Sequence, residues 1–201
     1  VKLKLKMSED KAKKVLAVID GKSVFYRGYY AMPNLSTRDG VSTGGVYGFA
    51  TLALGIISKL KPDYVAVAWD KSKTNTAKRK EIYPEYKANR PPPSELVAHL
   101  YEYAKIAHGA IESEGGVEAE DMVYSVSKKI DNNWLILFID HDLDEVPSIR
   151  FNYKSLKYSK ITEKEAKFNL IKKLCISETG DNVKTSPGIG VKYFEKNFHI
   201  D

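Results

Sequence analysis

The chain contains one long apolar run that ends in two aspartates, Trp134-Leu135-Ile136-Leu137-Phe138-Ile139-Asp140-His141-Asp142. The run is mostly branched or aromatic and holds neither Gly nor Pro, which is typical of a strand buried on both faces of a parallel sheet. Such a strand needs helices on both sides. Because an open α/β sheet places its ligand crevice at the carboxyl ends of its strands, Asp140 and Asp142 are predicted to project into that crevice.

Two other apolar runs end in an acid in the same way. Residues 15–19 lead into Asp20, and residues 64–69 lead into Asp70. If the three strands are parallel neighbours, four carboxylates meet at one edge of the sheet. Their mutual repulsion would be severe without cations between them. The pattern therefore predicts a cation-binding edge.

Composition narrows the class of protein. The 201 residues, 43% of them apolar, suit one α/β domain with a small excursion. The sequence shows neither an apolar run of the roughly 18 residues that a membrane span needs nor the pattern of a signal peptide. A single cysteine, Cys175, excludes an internal disulfide and fits a reducing cytosol. The net charge of +6, with many acids gathered at one edge, suggests a polyanionic partner such as nucleic acid.

Basic residues are concentrated after the second predicted strand. Residues 1–14 are predicted to form a loose basic leader. From Lys71 to Arg90 there are seven basic residues and two acids, with tyrosines between them. Such a run is usually a solvated face. This one begins directly beside Asp70, so we interpret it as a surface that draws phosphates toward bound cations. The aromatic segment 22–30, which carries Arg27, leaves two interpretations open: a helix packing its rings on the core, or a stacking surface for bases.

Periodicity and capping signals predict further elements along the chain. Thr162-Glu163-Lys164-Glu165 has the form of a capping box. The predicted elements are a helix over 46–58 with Val46, Phe49, Ala50, Ala53, Leu54 and Ile57 on its inner face, a helix capped by Ser94 and ending at Gly109, a short strand near 110–113, a helix opened by Glu118, Glu120 and Asp121, a hairpin around 154–160, a helix from Glu163 to about Cys175, and a helix opened by Gly188-Ile189-Gly190.

The acids form a consistent set of candidate metal ligands. No His or Cys stands among them in ligand spacing, and ligation by carboxylates alone suits Mg²⁺ or Mn²⁺ and disfavours Zn²⁺. Two such ions can activate a water molecule and stabilise the leaving oxygen of a phosphodiester. The pattern thus predicts metal-assisted phosphodiester hydrolysis. The candidates are Asp20, Asp70, Glu118, Glu120, Asp121, Asp140, Asp142, Glu178 and Asp181.

In its order of motifs the chain resembles the 5′-nuclease, or flap endonuclease, superfamily, whose members include the 5′-to-3′ exonuclease domain of bacterial DNA polymerase I and related phage enzymes. The resemblance runs from about Val15 to Phe198. Single motifs are unspecific, but the ordered set is highly specific. The motifs are Val18-Ile19-Asp20-Gly21, Val65 to Asp70, Arg79 with Tyr86-Lys87-Ala88-Asn89-Arg90, Val117-Glu118-Ala119-Glu120-Asp121, Asp140-His141-Asp142, and Gly180-Asp181-Asn182 followed by Gly188-Ile189-Gly190.

The resemblance implies an α/β fold and a set of roles. It implies a PIN-like core over 15–150 with a mostly parallel sheet flanked by helices, a basic helical arch at 71–93, and a C-terminal helical DNA-binding region at 151–201. That last region would hold a helix-hairpin-helix-type element that grips duplex DNA with a monovalent cation such as K⁺. The implied site residues are Asp20, Asp70, Glu118, Glu120 and Asp121 for the first metal, Asp140, Asp142, Asp181 and the candidate Glu178 for the second, Lys87 and Arg90 as catalytic cations, and Arg27, Arg79, Tyr86, Gly188, Gly190 and Lys192 as DNA contacts, with Tyr86 stacking on a base.

The implied activity is a structure-selective 5′-nuclease with two Mg²⁺ or Mn²⁺ ions. Its substrate would be DNA with a 5′ flap, nick or free 5′ end, or an RNA·DNA hybrid, cut by a monomer during replication or repair in the cytoplasm of a bacterial or phage-infected cell.

Three departures from the family pattern keep alternatives open: Glu120 replaces a usual Asp, Ile139 a usual small residue, and Ser177-Glu178 a usual Gly-Asp. A DNA-junction-binding protein whose catalysis has decayed is one alternative, and a PIN-like ribonuclease is another. The chain also stops at Asp201 where relatives continue. It is therefore either a minimal member or part of a longer protein.

Overall fold

The structure of the protein is a computed structural model. It describes residues 14–71, 76–107, 117–129, 134–138, 143–152, 155, 157–176, 178–184 and 186–199. Five strands form one sheet in the order β2-β1-β3-β4-β5. The strands from β1 to β4 run parallel, and β5 pairs antiparallel with β4. The strands are β1 (Lys14–Asp20), β2 (Tyr64–Ala68), β3 (Trp134–Phe138), β4 (Ser148–Asn152) and β5 (Lys157–Ile161).

Seven α-helices accompany the sheet in the described part of the chain. Within those residues, no helix is long and apolar enough to cross a membrane. The helices are α1 (Gly21–Ala31), α2 (Gly44–Leu60), α3 (Ala77–Ile82), α4 (Glu95–Ala107), α5 (Ala119–Lys129), α6 (Glu163–Cys175) and α7 (Val191–Asn197).

The three strands predicted from apolar runs are parallel neighbours, as expected. β1 lies between β2 and β3, with Asp20 opposite Ala68 and Val18 opposite Phe138. Asp20 and Asp70 therefore lie at the same edge of the sheet. Residues 139–142, which hold the two aspartates after β3, lie outside the described residues.

Side chains of β1 alternate between two hydrophobic clusters, because successive residues of a strand point to opposite faces. Ile19 packs with α1, α2 and α4, whereas Val18 packs with α5. Helices therefore cover both faces of the sheet, as the apolar runs predicted. The first cluster includes Phe25, Phe49, Trp69, Tyr101, Ile149 and Phe151, and the second includes Ala68, Ala119, Val123 and Val146.

The predicted inner face of α2 was partly wrong. Leu54 is 64% exposed, and Ile56 is buried instead. The cause is the contact of α2 with α1, where a Cβ atom at Gly28 would lie 2.6 Å from the carbonyl carbon of Gly48. This close approach turns the glycine side of α2 inward, and apolar spacing alone does not report it.

The C-terminal half confirms the capping box, but its hairpin differs from the one predicted around 154–160. The antiparallel pair is formed by β4 and β5, so the predicted range covers only its second strand. The Thr162 hydroxyl accepts a hydrogen bond from the Glu165 amide at 3.2 Å, and the Glu165 carboxylate accepts one from the Thr162 amide at 2.7 Å. β4 was not predicted, because only Ile149 and Phe151 of its five residues are apolar and it lacks the continuous apolar run of the other parallel strands. The strand expected near 110–113 lies outside the described residues.

Candidate active site

The carboxylates after β1 and β2 are each held by a helix N-terminus. Asp20 caps α1, with its Oδ1 accepting from the Ser23 amide at 3.0 Å. Asp70 is only 7% exposed, and its Oδ1 accepts from the Ala119 amide at 2.7 Å, at the start of α5. Its Oδ2 lies 3.0 Å from the Lys22 ammonium. Both acids therefore have a fixed orientation at the edge of the sheet.

Gly21 allows this arrangement. A Cβ atom at Gly21 would lie 2.5 Å from the ring of Trp69, the residue before Asp70. The sharp turn from β1 into α1 can therefore lie against the end of β2 only with glycine at this position.

The acids around the start of α5 converge on one arginine from the basic segment. Glu118 is 3% exposed and contacts the Arg79 guanidinium. Arg79 also lies 2.8 Å from Glu120 Oε1 and 2.7 Å from Asp121 Oδ1. Burial lowers the pKa of Arg79, but the neighbouring Tyr86, Glu120 and Asp121 raise it above its ordinary value. In this structure Arg79 binds protein carboxylates, and its role as a DNA contact stays a prediction.

Tyr86 joins Glu118 to Asp181. Its hydroxyl lies 2.7 Å from Glu118 Oε2 and 2.9 Å from Asp181 Oδ2, and it accepts from Arg79 at 2.7 Å. Burial and then the charge of Asp181 raise the pKa of Tyr86 strongly, so the phenol stays protonated. Tyr86 is 5% exposed, and the Lys87 ammonium lies 4.9 Å from the centroid of its ring. The stacking of Tyr86 on a base stays a prediction.

Lys87 and Arg90 approach the same carboxylates from one side. The Lys87 ammonium contacts Glu118 and lies 3.6 Å from Asp181 Oδ1. Burial lowers the pKa of this ammonium, while the charge of Asp181 opposes that shift. Arg90 donates to Asp181 Oδ1 and to the Gly180 carbonyl, both at 2.7 Å. As predicted, the cations of the basic segment lie beside the acids.

A small closed loop presents Asp181. Backbone hydrogen bonds of 3.1 Å in both directions join Glu178 to Val183, and a single 3-10 turn, Thr179–Asp181, lies between them. The Glu178 carboxylate lies 3.8 Å from Lys173 of α6. Glu178 and Asp181 therefore share one loop but pair with cations of different elements.

The remaining predicted site residues lie elsewhere. Arg27 is half-buried on α1, and Lys192 is exposed in the first turn of α7. Gly188 has φ +78°, a conformation that favours glycine, and Gly190 immediately precedes α7. Their roles, the arch and the helix-hairpin-helix-type element stay predictions.

Two contributors to the site were not predicted. Lys22 forms the ion pair with Asp70, and its position directly after Asp20-Gly21 was the available signal. Asn182 donates from its side chain to the Glu85 carbonyl at 2.8 Å. Its signal was its place next to a candidate ligand.

The oxygen atoms of the site are of the kind that bind a hard divalent cation. Glu118 and Asp181 are carboxylates within hydrogen-bond distance of one oxygen, and oxygen ligands are those that Mg²⁺ and Mn²⁺ prefer. Within the described ranges, no three His, Cys, Asp or Glu side chains form a group that could hold a metal. Asp140 and Asp142 lie outside those ranges.

The chain is similar to known proteins over most of its length. Residues 15–173 match the family model described as "5'-3' exonuclease, N-terminal resolvase-like domain". DNA polymerase I of Caldicellulosiruptor bescii is 32% identical over 204 residues, covering 90% of this chain and 24% of that protein. The chain thus spans about a quarter of the length of this curated relative.

Two solved structures share the fold. Both are of the phage T5 D15 protein, one co-crystallised with metal ions and one described as a flap endonuclease in a pseudo-enzyme-product complex with DNA and metal ions. Their TM-scores are 0.68 and 0.66 at 18% and 20% identity, and each match covers 89% of this chain and 72% of the other. The mixed α/β fold with a small parallel sheet is therefore shared, and the match of residues 15–173 to the family model shows that the chain belongs to the 5′-3′ exonuclease family of the 5′-nuclease superfamily.

Proposed function

We propose that this chain carries the catalytic site of a divalent-metal-dependent 5′-nuclease that hydrolyses DNA phosphodiesters in replication or repair. The observation that carries the proposal is the meeting of Glu118 and Asp181 at the Tyr86 hydroxyl, flanked by Lys87 and Arg90. Acids and cations from distant parts of the chain meet there, which is the arrangement that a site for metal ions and a phosphate group requires.

The acids of the site would hold two Mg²⁺ or Mn²⁺ ions. When bound, such ions activate a water molecule and stabilise charge on the phosphate oxygens. One ion would be held at the first group of acids and the other at the second, although no three of the described acids form a metal-binding group in this structure. The first group is Asp20, Asp70, Glu118, Glu120 and Asp121, and the second is Asp140, Asp142, Asp181 and the candidate Glu178.

The cations of the basic segment would orient the scissile phosphate. Lys87 has a side chain 15% exposed and Arg90 one 50% exposed, so Arg90 is the more accessible to an incoming strand. Both now neutralise carboxylates. A phosphate entering beside them replaces that pairing with a hydrogen-bonded anion, which positions the reacting bond.

The proposed substrate is DNA with a 5′ flap, nick or free 5′ end, or an RNA·DNA hybrid, in a bacterial or phage-infected cytoplasm. The solved relative with DNA and metal ions supports DNA as the polymer. The net charge of +6 favours a polyanion. Gly188, Gly190 and Lys192 would hold the duplex backbone, with K⁺ as the accompanying ion, and Arg27 would contact the strand near α1. The proposed enzyme acts as a monomer.

The test is cleavage of a 5′-labelled flap substrate in Mg²⁺, in Mn²⁺ and in EDTA, with product length resolved. Products cut near the junction in either metal, and none in EDTA, are expected. Asp142→Asn should abolish cleavage while retaining binding.

Other outcomes contradict the proposal. DNA that is bound but uncut in both metals would indicate a junction-binding protein, with Glu120 and Ile139 the first residues to revert. Preferred cleavage of single-stranded RNA would indicate a PIN-like ribonuclease.

A further inference from the structure

Two segments that are distant in the chain form hydrogen bonds to each other beside the site, and we call this contact the clasp. It joins residues 83–90 of the basic segment to residues 178–183 of the closed loop. The Lys87 amide donates to the Asp181 carbonyl at 2.8 Å, and the Asn182 side chain donates to the Glu85 carbonyl at 2.8 Å. The Tyr83 hydroxyl lies 3.2 Å from the Asn182 carbonyl oxygen and 3.0 Å from the Glu85 carboxylate. The clasp uses backbone groups on both sides, so it sets the register of one segment on the other.

Asn182 is the residue that contributes from both ends. Its side chain binds Glu85, and its carbonyl binds Tyr83. Its φ of +59° lies in the left-handed region, where Asn is tolerated far better than most residues. Lys87, on the other side of the clasp, also has a left-handed φ of +54°. Residues held in this region often mark functional sites whose surroundings impose the conformation.

The register of the clasp determines which groups meet at the site. Asp181 directly precedes Asn182, and its carboxylate receives Tyr86, Lys87 and Arg90 from the opposite segment. If one segment shifted along the other, Asp181 would lose all three of these partners at once, because the groups belong to two short stretches of backbone.

We propose that Asn182 is a positioning residue, whose side-chain amide sets the distance from the carboxylate of Asp181 to the cations Lys87 and Arg90. This inference rests on the proposed function, since it makes the clasp responsible for placing a metal ligand beside the groups that orient phosphate. A displacement of about 1 Å in such a site can lower a rate about 100-fold. Asn182 itself touches neither substrate nor reacting atoms in the proposal.

Two substitutions at Asn182 distinguish the effect of its side-chain amide from the effect of its left-handed backbone conformation. Asn182→Gly keeps the left-handed φ and removes the donor. Asn182→Asp keeps the shape and the tolerance of left-handed φ, but places an acceptor against the Glu85 carbonyl. Asn34→Asp is the matched control, because it makes the same change of charge at an exposed position in the loop between α1 and α2.

The first measurement is hydrogen exchange of the Lys87 amide in EDTA, which does not depend on catalysis. Exchange should become about tenfold faster or more in both Asn182 variants and stay unchanged in Asn34→Asp. The second is the single-turnover rate of flap cleavage against Mg²⁺ concentration. We expect a rate about ten- to a hundredfold lower for Asn182→Gly, lower still for Asn182→Asp, and a higher Mg²⁺ requirement in both.

The two readouts separate the inference from the proposed function. If the wild-type protein does not cleave, the proposed nuclease function is refuted. If the Lys87 amide nevertheless exchanges faster in the Asn182 variants, Asn182 still fixes the register of the two segments. Unchanged exchange of the Lys87 amide, or variants that cleave with wild-type rate and Mg²⁺ requirement, would overturn the positioning role. A lower melting temperature with unaltered cleavage by the folded fraction would also overturn it.

Discussion

Lys87 and Asp181 meet twice in this protein, once through the backbone and once through the side chains. The Lys87 amide lies 2.8 Å from the Asp181 carbonyl oxygen, and the Lys87 ammonium lies 3.6 Å from Asp181 Oδ1. The double contact makes the basic segment and the closed loop around 178–183 one structural unit at the site. Changes to the charges in this unit should therefore affect stability and activity in separable ways.

Removing the Arg79 guanidinium should lower the stability of the metal-free protein. Arg79→Gln leaves the buried Glu118 with fewer donors, and hydrogen bonds to charged groups contribute about 1.5 to 3 kcal/mol each. We expect a loss of about 1 to 3 kcal/mol in the free energy of unfolding, measured by urea denaturation in EDTA. Added Mg²⁺ should recover part of it, because ligands that bind the native state stabilise it.

The matched control for this change is Arg38→Gln, at an exposed position in the loop between α1 and α2. It should leave the urea midpoint unchanged. An Arg79→Gln protein as stable as wild type in EDTA would show that Lys87 and Tyr86 alone satisfy Glu118.

Neutralising Asp181 should separate binding from cleavage. Asp181→Asn keeps the side-chain shape but removes the charge that faces Lys87 and Arg90. Single-turnover cleavage of a flap substrate should fall about 100-fold or more, as expected for a lost metal ligand. Flap affinity in EDTA should be equal or higher, since two cations are freed for phosphate. Asp39→Asn, in an exposed loop, is the control, and weaker binding by Asp181→Asn would argue against this assignment.

The contact between α1 and α2 should not tolerate a methyl group. A Cβ atom at Gly48 would lie 2.4 Å from the Cα of Gly28, so Gly48→Ala forces the helices apart. Overpacking of this kind costs about 1 to 3 kcal/mol. Gly55→Ala on the same helix has nothing within 4 Å and should stabilise by up to about 1 kcal/mol. Urea denaturation of both variants checks the pair, and equal midpoints would contradict the close approach.

The capping box of α6 should make stability depend on pH. Hydrogen bonds from the Thr162 backbone and then its hydroxyl lower the pKa of Glu165. A lowered pKa in the folded state means that the ionised carboxylate stabilises the fold above its usual pKa of about 4.3, and that this contribution is lost as pH falls through the folded value. Wild type should therefore exceed Glu165→Gln in stability near pH 7, and the gap should close toward pH 3. A gap that is constant between these pH values would refute the linkage.

Much of the fold follows from local signals in the sequence. Apolar runs ending at Asp20 and Asp70 predicted parallel strands with acids at one edge, and the capping box predicted where α6 begins. These features depend on residues within a few positions of each other, so periodicity and capping rules are sufficient for them. Motif order also predicted the family that the comparisons show.

Tertiary structure alone decided which charges meet. Packing placed Arg79 and Tyr86 among Glu118, Asp121 and Asp181, and their predicted contacts with DNA stay predictions. Partners so distant in the chain carry no local signal for each other. The same holds for the inner face of α2, where the approach of Gly28 to Gly48 overrode apolar spacing. The sequence determined which chemical groups the site has, and long-range packing decided their partners, because pairing depends on distances that only the folded chain defines.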